Sequence, residues 1–484
     1  MPSTPRSRLA TRRRKSARLA LYASCASVVA LTATFIVWVR PAFEGSGATE
    51  WARRDFSKHR EVELLREYIA IDTETFAGDQ LAGAEWVVRQ LEDMGLEPVV
   101  QRVGDEANVW AVVEGERPEA IVLHHHIDVD PVTHEESWVH PPFAGTIEGP
   151  WLYGRGAFDM KSVAVAQLEA VRRLVERGKR PRWSVVVLAT TGEETGSDLG
   201  TRWVLNTQPE LVERFAVVLT EGGTVESTVP GVADFWGTEV GQVRVVKVVV
   251  CHASREALVE LRKDLRGMDR VSAPRRTPPT DRMMPEYAQS RPFEGLRADL
   301  DDLDALLRDP RRFAGLSPYV RSLFVDRMVP LGIHETDGGG WELLVTLLLL
   351  PGTDADAALA EFLPDWLLHG FTVDVFDEGA ARHGSSPDHP VFQAIDRLVE
   401  ERHPGLAHGP LYLPQTVTDA RFFRRAGIPT FGFSPFNVVT PDVLRTRLRS
   451  TVNERIGLAG YVEGVELYRD LLERLAGDEI RRLD

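Results

Sequence analysis

Apolar positions along the chain form three kinds of pattern. The first is an unbroken run, Leu19 to Val39, with no charged side chain among its 21 residues. At about 1.5 Å per helical residue it matches a hydrocarbon core about 30 Å thick. Seven basic residues and no acid precede it, which favours a cytoplasmic N-terminus and an exported body. The run therefore predicts a basic cytoplasmic tail over 1–18 and a transmembrane anchor over 19–39, in a single-pass membrane protein. A cleaved signal peptide is the rival reading. The run ends in FIVWVRP without a small-x-small site, which favours the retained anchor.

The second pattern has helical spacing, at 61–71, 81–94, 160–177 and 199–206. The third consists of β-rich apolar runs at 109–114, 120–129, 184–190 and 215–220. Strands alternating with helices predict an α/β domain, a mixed sheet with helices on both faces, beginning with residues 57–241. From about Gln242 the pattern changes. QVRVVKVVV reads as a strand leading into a helix near Leu265, followed by a Pro/Arg-rich stretch, SAPRRTPPTDRMMP, and polar helices. WELLVTLLLLPGTD and FTVDVFD read as two further strands flanking a helix. Residues 242–378 are accordingly expected to form an inserted α+β domain. The chain then returns to the first domain over 379–484, with helices at 390–402 and 457–475.

Charge narrows the function. The net charge is −15 although the N-terminal eighteen residues are strongly basic, so the body is acidic and is not expected to bind nucleic acid. Cys25 and Cys251 are the only cysteines, too few for a disulfide framework.

Four polar clusters interrupt the apolar pattern at strand ends or helix starts, where open α/β sheets place their ligands. HHHIDVDPV (124–132) closes a β-run, and the two-residue spacing of His126 and Asp128 puts both side chains on one strand face. Such a turn serves structure as readily as metal binding. LYGRGAFDMKS (152–162) sets Asp159 just ahead of a helix, where an Asp is ordinarily an N-cap. VVVLATTGEETGSDLG (185–200) places Glu193 and Glu194 after an apolar strand. Adjacent buried acids repel unless a dication joins them, and a solvated loop is the alternative. FAVVLTEGG (215–223) ends another apolar strand on Glu221. Oxygen ligands with one imidazole suit zinc in a hydrolytic site, with manganese or cobalt as substitutes.

The ordered set H-x-D, GRGAxDMK, EExGSxxG and a Glu in an E-G-G turn resembles the co-catalytic zinc metallopeptidases. That family includes aminoacylase, glutamate carboxypeptidase, succinyl-diaminopimelate desuccinylase and carboxypeptidase S. The resemblance extends from about residue 60 to 475 and leans toward the carboxypeptidase S-like branch. It implies a zinc-peptidase catalytic domain (57–241 and 379–484) with 242–378 as an inserted lid domain, through which two chains could pair as a homodimer. It implies one or two zinc ions, with Asp159 between them, His126 and Glu221 on one and Glu194 on the other. It also implies Glu193 as general base, Asp128 orienting the His126 ring, and a small peptide or N-acyl amino acid as substrate.

Three positions depart from the family pattern. Its last metal ligand is a His four residues before the Glu of H-x-x-N-E, where this chain has Ser450 ahead of Asn453 and Glu454. Among the other C-terminal histidines, His383, His389, His403 and His408, none matches that motif. The lid's N-x-R-x-x-P-G reads Thr346 to Gly352 here, with Leu348 in place of an arginine that would grip a substrate carboxylate. The lid's G-H-x-S appears as Cys251-His252-Ala253-Ser254, leaving His252 as a candidate for substrate contact. Arg421 in TDAR matches and is a candidate for the substrate or for pairing with Asp419. The expectation is a membrane-tethered zinc amide hydrolase. The alternative is a non-catalytic homologue acting as a binding module.

Overall fold

A computed structural model describes residues 55–226, 233–268, 271–290, 297–336, 338–377, 384–436 and 452–477. Its strands, in chain order, are β1 (Val99–Val103), β2 (Glu106–Val113), β3 (Arg117–His126), β4 (Thr146–Glu148), β5 (Trp151–Tyr153), β6 (Trp183–Thr190), β7 (Phe215–Thr220) and β8 (Thr224–Glu226). They continue with β9 (Phe235–Gln242), β10 (Arg244–His252), β11 (Arg327–Glu335), β12 (Trp341–Leu349), β13 (Thr372–Asp377), β14 (His408–Leu413), β15 (Thr430–Gly432) and β16 (Arg455–Gly457).

The central sheet has the order β1-β2-β6-β3-β7-β15-β9-β14, with β8 beside β9. β3 runs parallel to β6 and β7, whereas β2 meets β6 and β15 meets β9 in antiparallel fashion, so the sheet is mixed. Side chains alternate between its faces with period two. Ile121, Leu123, Val185 and Val187 join Leu168 and Val171 of the helix Lys161–Glu176 and Leu471 of the helix Leu458–Ala476 in one core. The intervening Ala120, Val122, Val186 and Leu188 pack on the other face with Val204, Leu211 and Phe423. Because both faces are covered, these strands read as continuous apolar runs. The parallel register sets His126 level with Thr190 and Leu123 level with Leu219, so β3, β6 and β7 deliver their C-terminal turns to one edge.

The second sheet, β11-β12-β10-β13, is antiparallel throughout. Val246, Val248, Leu343 and Leu347 cover one face with residues of the helices Arg255–Gly267 and Ala355–Phe362. On the other face Leu348 and Leu350 pack against Met283, Tyr287, Leu306 and Phe324, and against Leu411 and Tyr412 of β14. The Pro/Arg-rich stretch and the short helices after it thus join the second sheet to the edge of the central one.

One part of the expected architecture is corrected. Among the described residues no helix is long and apolar enough to cross a membrane. The longest of them, Leu458–Ala476, carries Glu463, Glu466, Arg469, Asp470, Glu473 and Arg474 and buries its apolar side on the core instead. Residues 1–18 and the run 19–39, with Cys25, lie outside the described residues, as do His383 and Ser450. The expected transmembrane helix, and with it the single-pass membrane localisation and exported body, has no support among the described helices.

Candidate metal centre and active site

The turn after β3 fixes the imidazole of His126. Its Nδ1 lies 2.8 Å from the backbone carbonyl of Asp128, leaving Nε2 to face Asp159 Oδ1 at 3.3 Å and Glu221 Oε1 at 3.9 Å. A carbonyl can only accept, so Nδ1 carries a proton, and it is Nε2 that presents a lone pair to a metal once its own proton is displaced. The orienting partner is the main chain of Asp128; its carboxylate is 3.7 Å from Nδ1. That buried carboxylate serves the next turn instead, taking the backbone N–H of Glu193 at 3.1 Å and of Glu194 at 3.0 Å.

Asp159 does not cap the helix that follows it. Met160 occupies the N-cap position and no side chain caps there, while the Asp159 carboxylate faces His126. At the end of β7, Glu221 is followed by Gly222 at φ +112° and by Gly223, where a Cβ would meet the carbonyl of Gly432 at 2.6 Å. Only glycines fit that turn, which keeps Glu221 at the sheet edge.

These residues form two overlapping donor sets. One atom each from His126, Glu193 and Glu221 lies within 4.8 Å of the others, and the same holds for His126, Asp159 and Glu194. Both sets draw on His126 Nε2, because Nδ1 is committed to Asp128. The partition differs from the expected one, since Glu193 rather than Asp159 groups with Glu221.

The electrostatics fit a cation. Asp128, Asp159, Glu193 and Glu221 are buried and Glu194 half-buried, against one imidazole and the guanidinium of Arg421. Burial alone would lower the His126 pKa, but the carboxylates of Asp159, Asp128, Glu221 and Glu193 raise it well above the usual imidazole value. Burial, with the charges of Asp419 and Asp159, pushes Glu193 up to about 8. Lone-pair nitrogen and carboxylates converging in a low-dielectric site is a donor set for a divalent metal.

A second layer stands behind the turns. His124 is fully buried, with Nδ1 2.8 Å from Thr220 Oγ1 and Nε2 2.9 Å from Thr190 Oγ1. Asp419 accepts from the hydroxyls of Ser197 and of Thr201, the latter at 2.6 Å. Arg421, two residues on, donates to the carbonyl of Thr418 at 2.8 Å and reaches to 3.8 Å from Glu193 Oε1. Sequence reading treats Asp419 only as a possible partner of Arg421; the T-D-A-R turn is the signal that locates both.

The other candidates lie elsewhere. His252 ends β10, its Nδ1 2.9 Å from the N–H of Ser254 and its ring against Phe371. Leu348 is buried in the helical cluster described above. His403 lies 3.4 Å from Glu463, His408 pairs with Asp396 and Glu400, and His389 caps the helix Pro390–Arg402, so none of them is brought to the centre.

Residues 122–474 match the family model described as peptidase family M20/M25/M40. The chain belongs to this family. Rat (Rattus norvegicus) aminoacylase-1A is 25% identical over 443 residues, covering 87% of this chain and 96% of that protein. The succinyl-diaminopimelate desuccinylase of Alkalilimnicola ehrlichii is 37% identical over 128 residues, which span 26% of this chain and 34% of that enzyme. The chain thus spans about a third of that relative's length. Among solved structures, the M20 family metallo-carboxypeptidase Sso-CP2 of Sulfolobus solfataricus superposes with a TM-score of 0.63 at 16% identity, over 86% of this chain and 98% of that one. That likeness speaks to the fold. Membership makes the chain a hydrolase of this peptidase family, and its match to the aminoacylase runs along most of both chains.

Proposed function

We propose that the protein hydrolyses an amide bond in small peptides or N-acyl amino acids, using zinc held by His126, Asp159, Glu194 and Glu221, with cobalt or manganese as substitutes. The observation that carries the reading is the placement of Glu193 inside the donor cluster, in one turn with Glu194 and held by Asp128. The metal, when bound, polarises the scissile carbonyl and lowers the pKa of the attacking water. Glu193 takes the proton from that water and returns it to the leaving nitrogen. Burial raises the Glu193 carboxyl above the ordinary carboxylate range, which brings its proton affinity nearer to that of the groups it serves.

Residues 57–241 and 379–484 form the catalytic domain in this reading, with 242–378 as a lid. Arg421 is assigned to the substrate's carboxylate and His252 to a contact made when the lid closes. Leu348 is buried, so the lid offers no guanidinium there. A non-catalytic binding role is not favoured: such a role has no use for an acid buried beside the donors. Neither a membrane partner nor a homodimer is part of the proposal.

The test pairs metal content per chain with turnover of dipeptides and N-acyl amino acids. Glu193→Gln should lower kcat by roughly 10²- to 10⁴-fold while bound metal is unchanged. Loss of metal in that variant would make Glu193 a ligand rather than the base. A zinc-, cobalt- or manganese-loaded chain that cleaves neither substrate class would overturn the reading.

A further inference from the structure

The acid that follows Asn453 reaches the metal centre by another route than ligation. Glu454 is fully buried. Its Oε1 accepts the backbone N–H of Phe158 at 2.9 Å and of Asp159 at 3.1 Å, and its Oε2 accepts Arg155 Nη1 at 2.7 Å. Its own carbonyl takes the N–H of Gly154 at 3.0 Å. Arg155 also donates to the carbonyl of Pro131 at 3.2 Å, just beyond the turn that carries Asp128. Asn453 adds a tie on the outside, its Oδ1 accepting the N–H of Val139 at 2.7 Å. One residue therefore gathers the loop 154–159 on which Asp159 is carried, Gly154 by its carbonyl and Arg155, Phe158 and Asp159 by its carboxylate.

We infer that Glu454 is a positioning residue for Asp159: it holds the main chain of the donor by two N–H groups, so that the Asp159 carboxylate stays aimed at the site shared with His126 Nε2. This rests on the metal-hydrolase reading and deepens it. The physical need is specific. A loop of glycines and short turns has many conformations, and an ionised acceptor that satisfies two adjacent N–H groups at once selects one of them. Arg155 supplies the countercharge that lets a carboxylate occupy a fully buried position. The role explains why the segment after position 450 matters to the centre although that position is a serine: its described contribution is a grip on the backbone of Asp159.

The experiment titrates the metal-free full chain with Co2+, by calorimetry and by the visible absorption of the bound ion. Wild type is compared with Glu454→Gln, Arg155→Gln and Asn453→Ala. The glutamine keeps the size of Glu454 but turns an amide donor toward donors. Expected for Glu454→Gln is a loss of affinity of about 10- to 100-fold with a changed absorption band, and a fall in kcat with KM held. Arg155→Gln should show a smaller loss in the same direction. Asn453→Ala should lower thermal stability and leave affinity and spectrum as in wild type. If Glu454→Gln does not fold, Arg155→Gln alone decides. Variants that melt earlier yet bind Co2+ with wild-type affinity and spectrum would overturn the inference. If the wild type itself binds no metal, it is the hydrolase reading that fails; if it binds metal and the clamp variants equal it, only the clamp fails.

Discussion

Asp128 holds Glu193 by its main chain: a carboxylate oxygen of Asp128 accepts the Glu193 N–H at 3.1 Å, and the other accepts that of Glu194 at 3.0 Å. The same residue's carbonyl takes Nδ1 of His126 at 2.8 Å. One residue thus sets the tautomer of the imidazole and the position of both acids. Asp128→Asn keeps the carbonyl contact but turns an NH2 toward one of the two N–H groups. An unsatisfied buried donor costs about 1–3 kcal/mol, and a donor displaced by about 1 Å costs on the order of 10²-fold in rate. The expected outcome is a roughly 100-fold fall in kcat/KM with a loss of about 1–3 kcal/mol in urea unfolding. A variant of full activity would show that the turn does not depend on this carboxylate.

Leu348 stands where the family pattern has an arginine, and its surroundings show why restoring that residue will not restore a substrate grip. It packs with Phe235, Tyr287, Phe324 and Leu411 between the second sheet and β14. Leu348→Arg would bury a cation without a partner, at roughly 3–5 kcal/mol. The variant should lose that stability in chemical unfolding while KM for N-acyl amino acids does not improve. A lower KM at unchanged stability would mean that position 348 can reach the substrate.

The strand ends that carry His126, Glu193 and Glu221 are legible in the sequence because β3, β6 and β7 are covered on both faces and read as apolar runs interrupted by acid or imidazole. β9 is not legible. Its FWGTEVGQ holds Glu239 at its centre, which argues against a buried strand, yet Glu239 is fully buried because Arg424 meets both its oxygens at 2.7 and 2.6 Å. The partner stands 185 residues away, beyond any local window. The orientation of His126 is only half legible, since the partner of Nδ1 is a backbone carbonyl, which no side-chain motif encodes. The cover over Leu348 is hidden too, because the short helices Leu303–Arg308, Pro310–Gly315 and Pro318–Ser322 depend on caps from Asp302, Asp309 and Ser317 more than on apolar spacing.

Lys161 follows the Asp159 loop into the helix behind it and is fully buried. Its Nζ donates to the carbonyls of Tyr68 at 3.0 Å and Ile71 at 2.8 Å and lies 4.8 Å from the Tyr68 ring centroid. These carbonyls sit at the C-terminal end of the helix Arg60–Ile69, so the lysine ties that helix to the site loop. Lys161→Met preserves most of the bulk and removes both donors. The expected loss is about 1–3 kcal/mol in urea unfolding. Metal affinity should fall far less than in Glu454→Gln, because Lys161 does not touch the Asp159 main chain. Stability equal to wild type would show that the two carbonyls are satisfied without it.

His408, away from the centre, gives a pH signature of its own. Nδ1 lies 2.6 Å from Asp396 and Nε2 3.2 Å from Glu400, and the hydrogen bond to Asp396 leads the effects that raise its pKa above the ordinary imidazole value. A histidine whose folded pKa exceeds its unfolded one stabilises the fold fully below about pH 6.5, and that contribution is lost as pH rises through the folded value. Asp396 and Glu400 are partly solvated, so screening holds the effect to roughly 0.5–1 kcal/mol. His408→Gln should therefore unfold more easily than wild type in urea at about pH 5.5 and match it at about pH 9. A gap of the same size at both values would assign the effect to packing beside Phe392 and Pro410 rather than to charge.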